Sequence, residues 1–234
     1  MSSPSHTAQH EYLSKRRDVT TSFGYGLSRR TQMALEAVER FAPTAGTLRA
    51  VDFGCADGAM LNALAQRLGA RFEGGTGLDV FHSGVPDDDP VTRIAYRESN
   101  LFRDYPFPLE AGAFDIAIAS AFIKHHPDPA RFLSEVARCL GIGGIVVLMD
   151  PRPFVVKIGF RFSRFNPAYN PSLWSRNSVQ SLLADHPTIG LTMLDYRRYW
   201  IAPTYSIYRL GVEKAMPSFL RNAIALHQCM VLVK

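Results

Sequence analysis

Val51-Asp52-Phe53-Gly54-Cys55-Ala56-Asp57-Gly58 is the stretch on which the fold turns. An apolar run over residues 48–53 carries an acid near its end, then breaks into small residues at Gly54, Ala56 and Gly58. Residues 59–68 then take up helical spacing. A strand that ends in a small-residue turn and opens a helix lets a ligand come close to the backbone. Asp52 fixes a carboxylate beside that gap, where a phosphate-cradling turn would present bare N–H groups. A carboxylate suits a ligand with a cationic or hydroxyl-rich end. The stretch therefore reads as a nucleoside pocket that does not seat a pyrophosphate.

Outward from the turn, apolar runs alternate with helical periods. Residues 27–41 place Met33, Leu35, Val38 and Phe41 on one helical face and stop before Pro43. Residues 76–80 form a second strand, containing Gly77-Leu78-Asp79-Val80, and residues 93–96 a third beyond a loop rich in Asp and Pro. Residues 114–120 are strongly strand-like. Asp128-Pro129 then opens a helix with an N-cap Asp and Pro at the first position. Its stripe is Phe132, Leu133, Val136 and Leu140; Gly141 and the Gly143-Gly144 pair end it before a buried strand at 145–149. This alternation implies βαβ units and an α/β fold with a doubly wound, mostly parallel sheet covered on both faces. Residues 151–173 have no clean period. Helices are expected at 175–185 and 207–215, strands at 191–200 and 226–233.

The 234 residues are 47% hydrophobic and 20% charged, which suits one globular domain with a full core. Residues 1–27 read as a polar N-terminal arm without the apolar core of a signal peptide, and 28–234 as the single domain. Cys55, Cys139 and Cys229 are odd in number and widely spaced, so neither a disulfide framework nor a metal site is expected, and a reducing cytoplasm fits. No apolar run approaches the length of a transmembrane segment. The charge is uneven: from residue 151 to 234 eleven Lys and Arg face three acids, a net +8, which leaves residues 1–150 at −3 within a total of +5. A solvated basic face explains this; so does an anionic partner met by the last third of the chain.

Four motifs stand in order. They are Asp52-Phe53-Gly54-Cys55-Ala56-Asp57-Gly58; Asp79 in Gly77-Leu78-Asp79-Val80; Phe114-Asp115-Ile116 followed by Lys124-His125-His126-Pro127-Asp128-Pro129; and Leu140-Gly141-Ile142-Gly143-Gly144. Together they resemble the class I S-adenosylmethionine-dependent methyltransferases over roughly residues 30–234, with the closest match to the small-molecule group. Ala56 stands where the family motif has its middle glycine. The resemblance implies a Rossmann-like, seven-stranded sheet, parallel except for the last strand, and S-adenosyl-L-methionine as cofactor. It places Gly54, Ala56 and Gly58 against the amino-acid and ribose portions of that cofactor. Asp52 would orient the turn or meet the ammonium, and Asp79 would accept from the ribose hydroxyls. Asn100-Leu101 would contact adenine, with an amide where an acid is frequent. Ser120 and Ala121 would line the methyl end. Hydride transfer fits worse, because a nicotinamide fingerprint reads Gly-x-Gly-x-x-Gly.

Methyl transfer needs in-line approach to an electrophilic methyl, and much of the acceleration comes from positioning and removal of water. A base is needed only when the acceptor must lose a proton. His125, just beyond the fourth strand, is the candidate catalytic base; the bland reading is that it shapes its loop. His126 is expected to face solvent or the loop, Lys124 to be solvated, Cys55 to be a small filler, and Asp87-Asp88-Asp89 to be a solvated turn. Tyr12 and Tyr25 either fold over the cofactor or pack on the surface.

Acceptor recognition is expected in two insertions, 151–173 and 201–224. The first interleaves Arg152, Lys157, Arg161 and Arg164 with Phe154, Phe160, Phe162 and Phe165. Lys157, Arg161, Phe162 and Arg164 are the candidate substrate-binding residues, since guanidinium groups grip phosphate or carboxylate and Phe supplies an apolar wall. The expected function is methyl transfer to a small or lipid-like, anionic acceptor in specialised or lipid and isoprenoid metabolism. A nucleic-acid methyltransferase is one alternative, disfavoured because no separate RNA-binding module or charge block is present. A non-catalytic cofactor-binding regulator is another. The same strip suits peripheral contact with an anionic membrane.

Overall fold

A computed structural model of the chain describes residues 22–80, 88–89, 93–123, 126–152, 174–199, 216–217, 225 and 227–234. In chain order the elements are α1 (Ser22–Phe41), β1 (Leu48–Phe53), α2 (Ala59–Leu68), β2 (Phe72–Asp79), β3 (Asp88–Asp89), β4 (Ile94–Glu98), β5 (Phe114–Ser120), α3 (Pro129–Cys139), β6 (Leu140–Pro151), α4 (Arg176–Asp185), β7 (Thr192–Tyr199) and β8 (His227–Val233). They build one sheet in the order β3-β4-β2-β1-β5-β6-β8-β7. Strands β4, β2, β1, β5 and β6 run parallel, and β8 is antiparallel to both β6 and β7. Seven main strands are thus parallel except for β8, as the resemblance implies.

The strands alternate between two cores with period two. Ile116, Ile118, Val147, Met149 and Val231 face Met33 and Val38 of α1 and Leu61 and Leu64 of α2. Val51, Phe53, Ala117, Ala119, Val146 and Leu148 face Phe132, Leu133 and Val136 of α3 and Val179 of α4. Continuous apolar strands are what a sheet buried on both faces requires.

Four boundaries differ from the sequence expectation. Helix α1 starts at Ser22, ahead of residue 27, because Gly24 and Gly26 hide its first turn from a pattern reading. Strand β2 starts at Phe72, before its glycines: a Cβ on Gly75 would lie 3.0 Å from Phe72 Cζ and 3.2 Å from Leu61 Cδ2, so the missing side chain lets helix and strand close together. Strand β6 begins at Leu140 and runs through the glycine turn, where Gly143 N–H donates to Lys234 O (3.1 Å) and Lys234 N–H to Gly144 O (3.0 Å). Asp88 and Asp89, expected in a solvated turn, pair antiparallel with Ala95 and Ile94 of β4. The backbone groups of a strand edge recruit a partner even from a polar segment. The helix expected at 207–215 lies outside the described residues.

Candidate active site

The carboxyl ends of β4, β2, β1 and β5 lie side by side, and the chain leaves β1 between two strands that are wound in opposite directions from it. That crevice is where open α/β sheets place ligands. The turn that leaves β1 is fastened to β2: the N–H groups of Gly54 and Cys55 both donate to Leu78 O, at 2.8 and 3.2 Å. The next N–H, of Ala56, donates to Asp79 Oδ2 at 2.8 Å, and Gly58 N–H closes the turn on Cys55 O at 2.9 Å. Gly54, Ala56 and Gly58 all have left-handed φ, at 78°, 50° and 70°. The small-residue rhythm is thus a backbone requirement. At Gly58 it is also steric, because a Cβ there would sit 2.0 Å from the Tyr96 hydroxyl.

Charge gathers at this turn. Asp52 and Asp57 are buried, at 3% and 8% exposure, and Asp79 is half-buried at the strand end. Burial first, then the carboxylates of Asp52, Asp79 and Asp57, push the Cys55 thiol up, so it stays a neutral filler as expected. Burial also pushes the Tyr96 phenol up to about 12, with Asp52 and Asp57 adding to it. Asn62 of α2 donates to Gly58 O at 3.1 Å and to the Tyr96 hydroxyl at 3.4 Å, which ties the first turn of the helix to β4. A turn with three acids gathered at it favours a cationic ligand.

The crevice has two lips. After β4, Asn100 organises a tight turn: its Oδ1 accepts from Phe102 N–H at 3.1 Å, while its own N–H donates to Asp104 at 2.6 Å. The Leu101 side chain is committed to the core at 3% exposure. After β5, Ser120 is half-buried at the strand tip, and Ala121 adopts a left-handed φ of 57° with its N–H on Met149 O at 2.6 Å. A non-glycine residue held in that region stores strain, which is common beside functional clefts. It turns Phe122 over Gly54, whose Cβ position lies 3.0 Å from the Phe122 ring. Phe122 in turn stacks on Phe102, with centroids 5.5 Å apart and planes 14° from parallel.

Of the two places expected for His126, solvent or the loop, the structure gives the loop. The side chain does not face solvent but is buried at 1% exposure, ringed by Phe102, Phe122 and Phe132. Its Nδ1 accepts from Asp128 N–H at 3.1 Å, and its Nε2 lies 3.0 Å from Leu101 O and 2.6 Å from the Tyr105 hydroxyl. Burial holds its pKa below the ordinary histidine value. These hydrogen bonds offset the loss of hydration of the neutral ring, and a polar-looking Lys-His-His run concealed the site.

The cofactor-site candidates Asp52, Gly54, Ala56, Gly58, Asp79, Asn100 and Ser120 converge on this crevice, and Leu101 lies beneath it. His125, Lys124, Tyr12 and the strip residues Lys157, Arg161, Phe162 and Arg164 lie outside the described residues, as does the side chain of Tyr25. Sequence reading missed Tyr96 and Phe122, which shape the turn. Tyr96 could have been found from the Ile94-Ala95-Tyr96 alternation, which puts it on the same face of β4 as buried Ile94.

Residues 25–189 match the family model described as a methyltransferase domain. The chain belongs to that family. It is a class I S-adenosylmethionine-dependent methyltransferase, an enzyme whose fold and donor motif agree with the crevice above. Among curated relatives, a ubiquinone biosynthesis O-methyltransferase of Psychrobacter cryohalolentis is 25% identical over 193 residues, 72% of this chain and 72% of the relative. The Arabidopsis thaliana chloroplastic tocopherol O-methyltransferase is 29% identical over 102 residues, 43% of this chain and 29% of the relative. A crystal structure of an S-adenosylmethionine-dependent methyltransferase from Mesorhizobium loti superposes with a TM-score of 0.62 at 16% identity, covering 87% of this chain and all of that one. This methyltransferase has, among its described residues, no helix long and apolar enough to cross a membrane.

Proposed function

We propose that the enzyme transfers the methyl of S-adenosyl-L-methionine to a small, lipid-like acceptor that carries an anionic group, with a hydroxyl oxygen as the atom methylated. One observation supports the donor half: a left-handed glycine turn anchored on Asp79 and ringed by Asp52 and Asp57. The donor supplies an electrophilic methyl on a sulfonium, and it carries an ammonium and a ribose diol. The residues present fit it. The acids offset its cationic charge, the bare backbone of Gly54 and Gly58 admits close approach, and Asp79 at the end of β2 is placed to accept from vicinal hydroxyls. Asn100 keeps an amide beside the turn after β4 for the adenine edge. Phe122 and Ser120, at the tip of β5, would flank the acceptor and exclude water from the transfer.

The acceptor half draws on the two relatives, which are named for O-methylation in ubiquinone biosynthesis and of tocopherol. It draws also on the charge of residues 151–234, whose Lys157, Arg161 and Arg164 would hold an acidic group while Phe162 lines an apolar body. His125 would take the hydroxyl proton as the carbon–oxygen bond forms. Labelled-methyl assays against carboxylated, phosphorylated and neutral phenolic lipid pools test the reading. Label entering the anionic pools supports it; label confined to the neutral pool, or entering no pool, overturns it. Changing Arg161 and Arg164 together to Ala should raise the acceptor KM and leave the donor KM near its original value.

A further inference from the structure

We infer that His126 is a positioning residue whose neutral imidazole ties the lip after β4 to the lip after β5 and so holds the donor cleft in its binding shape. The inference rests on the methyl-donor reading of that cleft. Strands β4 and β5 are separated in the sheet by β2 and β1. At about 4.8 Å per strand, their ends lie more than ten ångströms apart. The two lips nevertheless meet at a single ring. The ring is carried by the lip after β5, where Asp128 N–H, 3.1 Å from Nδ1, orients it; from the β4 side come the Leu101 carbonyl, 3.0 Å from Nε2, and the Tyr105 hydroxyl, 2.6 Å from it.

These partners fix the tautomer. A backbone N–H can only donate, so Nδ1 carries a lone pair; a backbone carbonyl can only accept, so Nε2 carries the proton. The Nε2–H is shared with the Tyr105 oxygen. A second proton on Nδ1 would set N–H against the N–H of Asp128, remove the contact that orients the ring within its own loop, and so unseat Nε2 from the β4 lip. The next residue after Leu101 is Phe102, whose ring stacks on Phe122, and Phe122 covers Gly54. The imidazole therefore backs the Phe102–Phe122 wall of the donor site from the side away from Gly54. The ionisable groups facing it are Asp128 on its own loop and Tyr105 from the β4 lip. Arg131 of α3 covers the far side of Tyr105, 4.2 Å from the ring centroid, and Glu135 of α3 is held by Phe107 N–H and Arg138. Asp128 favours the protonated ring, but burial outweighs it and keeps the ring neutral at physiological pH.

Calorimetric binding of S-adenosylhomocysteine to the full chain, from about pH 5 to pH 8, tests this. The native protein should bind with steady affinity near neutrality and weaken toward the acid end. His126→Asn keeps an acceptor for Asp128 N–H but cannot titrate or reach Leu101, so it should bind about tenfold more weakly at neutral pH, with little change across the range. A variant that binds like the native protein, or that weakens with acid in the same way, overturns the inference. If the variant does not fold, ¹⁵N spectra of the native imidazole decide. A neutral ring protonated on Nε2 supports the tie; a proton on Nδ1 at neutral pH overturns it. Native protein that binds no S-adenosylhomocysteine at any pH overturns the donor reading, and this inference with it.

Discussion

Gly58 is the residue at which sequence, backbone and packing agree most tightly. Its φ of 70° disfavours any side chain, and a Cβ would collide with the Tyr96 ring at 2.0–2.6 Å. Gly58→Ala should therefore cost about 2 kcal/mol or more of stability, seen as a lower midpoint in urea, and should weaken donor binding with it. A truncation of Asp79 would confuse its proposed role toward the donor with its structural one, since its Oδ2 holds the Ala56 N–H. Asp79→Asn keeps an oxygen for Ala56 and removes the charge. It should melt near the native temperature yet bind S-adenosylhomocysteine about ten- to a hundredfold more weakly by calorimetry, the range of a charged hydrogen bond. The turn and the acid of β2 were legible because each is a local exception: glycines in an apolar run, an acid at a strand end. The bond between them was not, because it joins residues 23 positions apart. The burial of His126 was hidden in part for the same reason. Phe122 and Phe132 are near it in sequence, but the Phe102 ring and the Leu101 carbonyl that complete its surroundings come from the distant turn after β4.

Among the elements, α2, α3, α4, β1 and β5 follow their local patterns closely. Asp128 caps α3 by accepting from Arg131 N–H at 3.0 Å, as the Asp128-Pro129 pair leads one to expect. Helix α4 begins with a reciprocal cap in which the Ser175 hydroxyl accepts from Ser178 N–H at 3.1 Å and the Ser178 hydroxyl from Ser175 N–H at 2.7 Å. Ser175→Ala should lower stability by about 1 kcal/mol, read from thermal or urea unfolding, with donor affinity unchanged. β2 and β6 were under-read because their glycines look like breakers in isolation. In the sheet those glycines allow a helix to close in at Gly75 and a turn to pair with Lys234 at Gly143 and Gly144. Tertiary contact, not local propensity, sets both boundaries.

For the whole molecule, burial places limits on both sides of the pH scale. His126 is held neutral below its ordinary value, so the unfolded chain takes up a proton before the folded one does. Its contribution is complete above about pH 6.5 and is lost as pH falls below that value. The Cys139 thiol is pushed up to about 11 and Cys229 to about 12 by burial, so the unfolded chain releases protons first on the alkaline side. Thermal melts should show a plateau between about pH 6.5 and 8.5 and decline on either side of it. A midpoint that keeps rising toward pH 10 would contradict this assignment.

The position of β8 also has a kinetic meaning. Among the described residues, strand β7 precedes β8 in the chain yet pairs only with it, while β8 pairs with β6 across seven residue pairs. β7 therefore reaches the sheet only through the later strand, so its place is not fixed until the end of the chain has docked. Long-range pairing of this kind is slow, because loop closure precedes any gain from contact. The parallel strands of the donor half, β4-β2-β1-β5-β6, do not depend on that step. The molecule should then behave as two cooperative units of unequal lifetime. Hydrogen exchange of β7 and α4 should outpace that of β1 and β5, and a substitution that loosens β8 should release β7 while leaving the methyl-donor turn closed.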